Sequence, residues 1–231
     1  MLDELAEDIW IVEGQCVDFH GFPYPTRSVV VRLAGGEIWV WSPIAISDEL
    51  ARSVESLGPV KHLVSPNKIH HLFLSEWKER FPDALLWGPQ STQDKRDDLR
   101  FQDALGTIAP AQWNDEFELF HVLGSLAMDE ILFLHKRTRT LILADFSENF
   151  DERFLETNWR GWQRWIARRW GIIVGKGYAP LDWRMSFLKR TELKKLRQDL
   201  LNRDIDHVIM AHGEIQRTKG TKFLKKSLEW I

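Results

Sequence analysis

A single cysteine, Cys16, is all this chain has. One thiol excludes a disulfide framework and any cysteine-rich zinc or iron–sulfur site, and it fits a reducing compartment. Tyrosine is nearly absent too, with two residues. No apolar run approaches the roughly 18 residues of a membrane span. The opening Met1-Leu2-Asp3-Glu4 is acidic and lacks the basic and apolar regions of a secretion signal, so the expected location is the cytoplasm. An excess of basic charge is also missing: 31 Lys and Arg stand against 34 Asp and Glu, a formal net charge of −3. Nothing in that balance draws the chain towards nucleic acid, and no nucleic-acid partner is expected. Walker loops, Gly-x-Ser-x-Gly elbows and His-Glu-x-x-His helices do not occur, and Gly175-Lys176-Gly177 is too short for a dinucleotide fingerprint.

What is present is a globular composition, 44% hydrophobic and 28% charged, over 231 residues, with an unexpected 12 tryptophans. No repeat, low-complexity tract or linker divides it, so one domain over residues 1–231 is the expectation. The apolar runs Ile9–Val12, Ser28–Leu33 and Ile38–Trp41 read as strands, the last two as a hairpin about Gly35-Gly36, with a Gly/Pro-rich loop at Gly21, Pro23 and Pro25. Ser47 or Asp48 caps a helix that Gly58-Pro59 ends. Strands are expected at 60–64, 84–87, 117–122, 130–134, 140–144 and 206–211. Helices are expected over 72–81 and along the Leu193, Leu196, Leu200 stripe. Alternation of this kind after a β-rich start predicts a layered α/β fold.

Three of these strands are followed at once by residues that ligate metals. Asn67, His70 and His71 come after the strand at 60–64, Asp145 after 140–144, and His212 after 206–211. Loops from several strands converge at one sheet edge, where sites of α/β folds cluster. Imidazole and carboxylate suit zinc, iron or manganese. Taken singly, each residue has a structural reading as a cap, a turn or a core hydrogen-bonding group. Their order is what carries weight.

That order resembles the metallo-β-lactamase-like superfamily. Ser65-Pro66-Asn67-Lys68-Ile69-His70-His71 stands where the His-x-His-x-Asp-His motif falls. His121-Val122-Leu123-Gly124-Ser125 is similar to the second element, Leu143-Ala144-Asp145 to the third, and Met210-Ala211-His212-Gly213 to the fourth. The resemblance implies an α/β (α+β) fold, a four-layer αβ/βα sandwich with its ligands on loops at one edge. Pro66 and Lys68 occupy the first two histidine slots, and neither holds a cation. The implied centre is therefore reduced: one divalent transition metal (zinc, iron or manganese) on His70, His71, Asp145 and His212, activating water against an ester or phosphoester. Lys68 is placed to meet substrate charge, and Glu130 and His135 to support the ligands. A member that binds a ligand or partner without catalysis is the alternative.

Residues Trp159 to Trp170 carry four arginines and no acid. On one continuous helix, Trp159, Trp162, Ile166 and Trp170 share a face and Arg160, Arg164 and Arg168 the opposite one. Such a stripe either packs on the sheet or docks on a membrane or protein partner. Packing is the ordinary expectation. Cys16 is expected to be a packed or partly buried thiol.

Overall fold

The computed structural model describes residues 1–231. Two sheets face each other. The first has six strands in sequential order: β1 (Asp3–Ala6), β2 (Ile9–Phe19), β3 (Phe22–Arg32), β4 (Ile38–Trp41), β5 (Val60–Val64) and β6 (Leu85–Trp87). β1 to β4 run antiparallel, and β5 and β6 join parallel. Helices α1 (Asp48–Glu55) and α2 (Leu74–Arg80) supply the crossovers, and α3 (Gln90–Lys95) follows β6. The second sheet holds β7 (Phe117–Val122), β8 (Glu130–His135) and β9 (Thr140–Leu143), completed by β10 after the chain leaves and returns. In between come α4 (Glu152–Asn158), α5 (Gly161–Trp170), α6 (Leu181–Met185) and α7 (Thr191–Leu201). β10 (His207–Met210) then pairs parallel to β9, and α8 (Gly220–Ser227) ends the fold.

Period-two side-chain alternation explains the layers. In β4, Trp39 and Trp41 point to the facing sheet while Ile38 and Val40 point to α1 and α2. In β9, Ile142 joins the inner core and Leu141 and Leu143 the outer one, beneath α6, α7 and α8. Both faces of both sheets are thus covered, and the four-layer αβ/βα expectation holds. The tryptophans fill this volume. Trp39 stacks on Phe117 at 4.6 Å and Trp113 meets Phe117 edge-on at 5.6 Å, all three fully buried. Ser47 caps α1 by accepting from the Leu50 amide, as its sequence position predicts.

The first hairpin departs from expectation. The segment around Pro23 and Pro25 is the outer half of β3 rather than a loop, paired with β2 through Asp18 and Cys16. β4 pairs with β3 only from Val29 to Arg32, so both prolines lie where no strand needs their missing N–H. A hairpin arm therefore projects past the sheet, turning at His20-Gly21. Cys16 on this arm is exposed, not packed. The 159–170 helix departs too. Trp159 is extended, between α4 and α5, and α5 itself begins at Gly161.

Two buried histidines far from the ligand loops set an acid limit on stability. His62 accepts from the Trp87 indole at 3.1 Å, and His135 is fully enclosed beside Thr138 and Glu116. Burial lowers both pKa values below 6.5, against the opposing pull of Glu37 and Glu116. Below pH 6.5 the unfolded chain takes up protons that the folded chain refuses. Their contribution is complete above that pH and is lost as pH falls through it. Denaturation midpoints should drop below about pH 6.5, and His135→Gln should flatten that slope. An unchanged slope contradicts the assignment.

Candidate metal centre

His70, Asp145 and His212 converge at the sheet edge, with one ligand atom of each within 4.8 Å of the others. His70 Nε2 lies 3.3 Å from Asp145 Oδ2, and His212 Nε2 lies 3.4 Å from Asp145 Oδ1. All three are buried or nearly so. Asp145 lies two residues after β9, His212 two residues after β10, and His70 sits on the turns between β5 and α2.

Each ligand atom is aimed by a partner behind it. His212 Nδ1 donates to the Pro25 carbonyl at 2.8 Å, so a hydrogen is on Nδ1 and Nε2 is the atom that faces Asp145. The projecting hairpin arm makes this bond. His212 is followed by Gly213 at φ 88, where an added Cβ would lie 2.3 Å from the Asn149 carbonyl carbon. Only glycine lets the chain turn there. His70 Nδ1 lies 2.8 Å from Ser42 Oγ, and Ser42 holds a left-handed φ of 47 at the end of β4. That conformation is unfavourable for a side-chain-bearing residue, and it puts the hydroxyl at the imidazole. Asn67 Nδ2 donates to Asp145 Oδ2 at 2.8 Å and to Glu130 Oε2 at 3.2 Å, while its Oδ1 accepts from the Ile69 and His70 amides. Glu130, fully buried, accepts from the Ala144 and Asp145 amides at 2.8 and 2.9 Å.

The electrostatics follow from this burial. Desolvation alone would raise Asp145, but the charges and hydrogen bonds of His70 and His212 hold it far below the usual carboxylate range. Desolvation and the neighbouring Asp145 charge push Glu130 up to about 8. An ionised Asp145 thus stands beside an acid that keeps its proton at neutral pH.

The donor set suits a transition metal: two imidazole nitrogens and a carboxylate. Ligand atoms around a tetrahedral zinc at 2.0–2.1 Å lie about 3.4 Å apart, close to the two separations above. Three protein ligands leave a coordination position open, the pattern of reactive rather than purely structural sites.

His71 does not join them. Its Nδ1 lies 3.4 Å from the Arg96 guanidinium, and Arg96 also bonds its carbonyl. Burial and the charges of Lys95 and Arg96 lower its pKa to about 4. A dication placed there would meet the same repulsion, so the four-residue set becomes three. His121 also stays apart, its Nε2 2.7 Å from Asp129. His135 lies beside Glu116 and Thr138, not behind a ligand. Glu130 does support the centre.

The three ligands open on a cavity of about 610 Å³. Its walls include Phe22, Tyr24, Trp159, Trp170 and Trp183, and Lys68 reaches it as well. Within it lies a group that sequence reasoning missed. Glu148 is 1% exposed, and the one hydrogen bond to its side chain is from the Tyr24 hydroxyl at 3.3 Å. Burial, then the Asp145 charge, raises its pKa well above the ordinary value. Tyr24 is raised as well, by burial and by Glu148, and stays a donor.

Similar structures share the architecture. The DIM-1 metallo-beta-lactamase superposes with a TM-score of 0.66 at 15% identity, over 99% of this chain and 96% of that one. A metallo-beta-lactamase from Pontibacter korlensis gives 0.66 at 13%, over 100% and 97%. The rubredoxin oxygen:oxidoreductase of Desulfovibrio gigas gives 0.68 at 12%, over 99% of this chain and 61% of that longer one. At such identities the likeness establishes the metallo-β-lactamase fold and nothing about the reaction. No curated protein matches the sequence. Residues 6–157, which carry His70 and Asp145 but not His212, match the family model described as a domain of unknown function, DUF4336, and the chain belongs to that family.

Proposed function

We propose that the protein is a metal-dependent hydrolase with a mononuclear centre on His70, Asp145 and His212, acting on an ester or phosphoester. The observation that carries this reading is the buried two-histidine, one-carboxylate set at the base of a ligand-sized cavity. A divalent metal there would supply Lewis acidity and make water nucleophilic near neutral pH. The chain's own residues do the rest. Pro25 and Ser42 fix the two imidazoles, and Asn67 and Glu130 fix Asp145. The aromatic walls exclude bulk water and favour a substrate with an apolar body. Lys68, at the cavity, meets negative charge on the substrate.

Glu148 is the proton donor to the leaving group in this reading. One of its oxygens is held by Tyr24, and the carboxyl is kept protonated by its enclosure. General acids of this kind contribute about 10²–10⁴ in rate. Glu148→Gln should keep the metal and lose about that factor on esters with poorly departing alkoxides. On nitrophenyl esters, whose leaving group needs no proton, the loss should be far smaller. Equal losses on both would remove Glu148 from this role.

The experiment for the whole reading is turnover of ester and phosphoester panels by metal-loaded protein, beside the Asp145→Asn variant. Hydrolysis that requires both metal and Asp145 supports it. A loaded protein inert across both panels favours the second reading, a ligand-binding member of the fold that uses the same cavity without turnover.

A further inference from the structure

The α5 helix turns its tryptophans outward at the rim of the cavity. Trp162 is 54% exposed and Trp165 65%, whereas Gln163 and Ala167 are the buried side of the helix. At about 100° per residue, Trp162 lies beside Ile166 and Trp170, which line the cavity. Arg169 and Trp165 follow on the solvent side. Two other segments complete the rim with exposed apolar side chains that also line the cavity: Phe19 on the hairpin arm and Leu72 before α2. The arm and the helix are joined, since Gln163 Nε2 donates to the Gly21 carbonyl at 2.8 Å and Trp162 meets Phe22 edge-on at 5.3 Å. Phe19, Leu72, Ile166 and Trp170, from three segments, thus line one opening, and the exposed Trp162 and Trp165 stand on the same helix as the last two. Isolated exposed hydrophobics need no explanation, but a contiguous group around a cavity mouth does.

The charge of the α5 segment has one sign, with four arginines and no acid between Arg160 and Trp170, while the cavity beneath it is lined by both signs, Asp18 and Asp182 among the acids. Arg160 and Arg169 are exposed and make no ion pair, and only Arg168 is committed, to Glu152 at 2.6 Å. Lys68 and Lys95 line the same cavity. Asp18, whose carboxylate accepts from the Gly21 amide, is the acid on the arm. No helix is long and apolar enough to cross a membrane. Indoles beside arginines, presented on a short surface helix, match a bilayer interface. There the rings sit at headgroup depth and the cations meet anionic lipid.

We infer that the cavity mouth, built from α5, the β2–β3 hairpin tip and Leu72, docks on an anionic lipid surface. This does not depend on the hydrolase reading. It is tested on metal-free protein by flotation with vesicles of phosphatidylcholine alone and of phosphatidylcholine with about one third phosphatidylglycerol. The protein should float with the anionic vesicles and not the neutral ones, with a blue shift of tryptophan emission, and should be released by high salt. Trp162→Ser with Trp165→Ser, and separately Arg160→Glu with Arg169→Glu, should each cut the bound fraction about tenfold or more. Trp165, Arg160 and Arg169 are exposed, so their substitution should not move thermal midpoints, and Trp165→Ser alone is the variant that spares the Trp162–Phe22 contact. Failure to float with anionic vesicles, or flotation unaffected by either pair of substitutions, overturns the inference. In that case an acidic protein surface becomes the partner to seek. Asp145→Asn, which removes a ligand without touching the arm, should float as the parent does, which separates this outcome from any failure of the metal centre.

Discussion

Replacing His212 with alanine is expected to weaken zinc binding by more than 100-fold, while His71→Ala leaves it within a few-fold. Loss of a supporting partner alone typically costs about 10- to 100-fold in affinity, so loss of a ligand exceeds that. The contrast comes from geometry that the two histidines do not share. His212 Nε2 faces Asp145 at 3.4 Å, and its other nitrogen is fixed by Pro25. His71 faces Arg96. Competition with a chromophoric chelator reads both affinities directly. Equal losses for the two variants would show that His71 is a ligand after all.

Glu130→Ala is expected to be the most destabilising single change near the site. The carboxyl group accepts two backbone amides and the Asn67 side chain in a fully buried position. Removing it orphans those donors, at about 1–3 kcal/mol each. A combined loss of about 4 kcal/mol or more consumes much of a typical stability of about 5–15 kcal/mol. Glu130→Gln should cost less, because the amide retains an acceptor for one N–H and the acid–acid contact with Asp145 is relieved. Urea midpoints at constant slope measure both. If the alanine variant stays within about 1 kcal/mol of the parent, Glu130 does not organise the loop after β9.

The layers and the ligand loops were legible in the sequence because strands buried on both faces leave continuous apolar runs. β4, Ile-Trp-Val-Trp, is the plainest, and Asp145 and His212 each stand immediately after such a run. What the sequence left open was direction. His70 and His71 are neighbours, and only the turn that carries them decides which faces the centre. The hairpin arm was hidden because Pro23 and Pro25 look like loop residues until β4 is seen to stop pairing short of them. With the arm went the Pro25 carbonyl, which has no side-chain signal, and Tyr24, the partner of Glu148. Glu148 itself lies three residues beyond Asp145 with nothing to mark it as buried. Ser42 sits directly after a strand, and that placement was its available signal. The tryptophan segment was misread as one helix. The break at Trp159 sends that ring inward to Tyr24 and Phe150 and leaves Trp162 and Trp165 outside.

The central claim is a single metal on three residues of this chain. Its most direct test is metal stoichiometry by elemental analysis of protein purified without chelator, then reloaded with zinc, iron or manganese and desalted. The account predicts about one transition metal per chain. None after reloading, or two per chain, would contradict it.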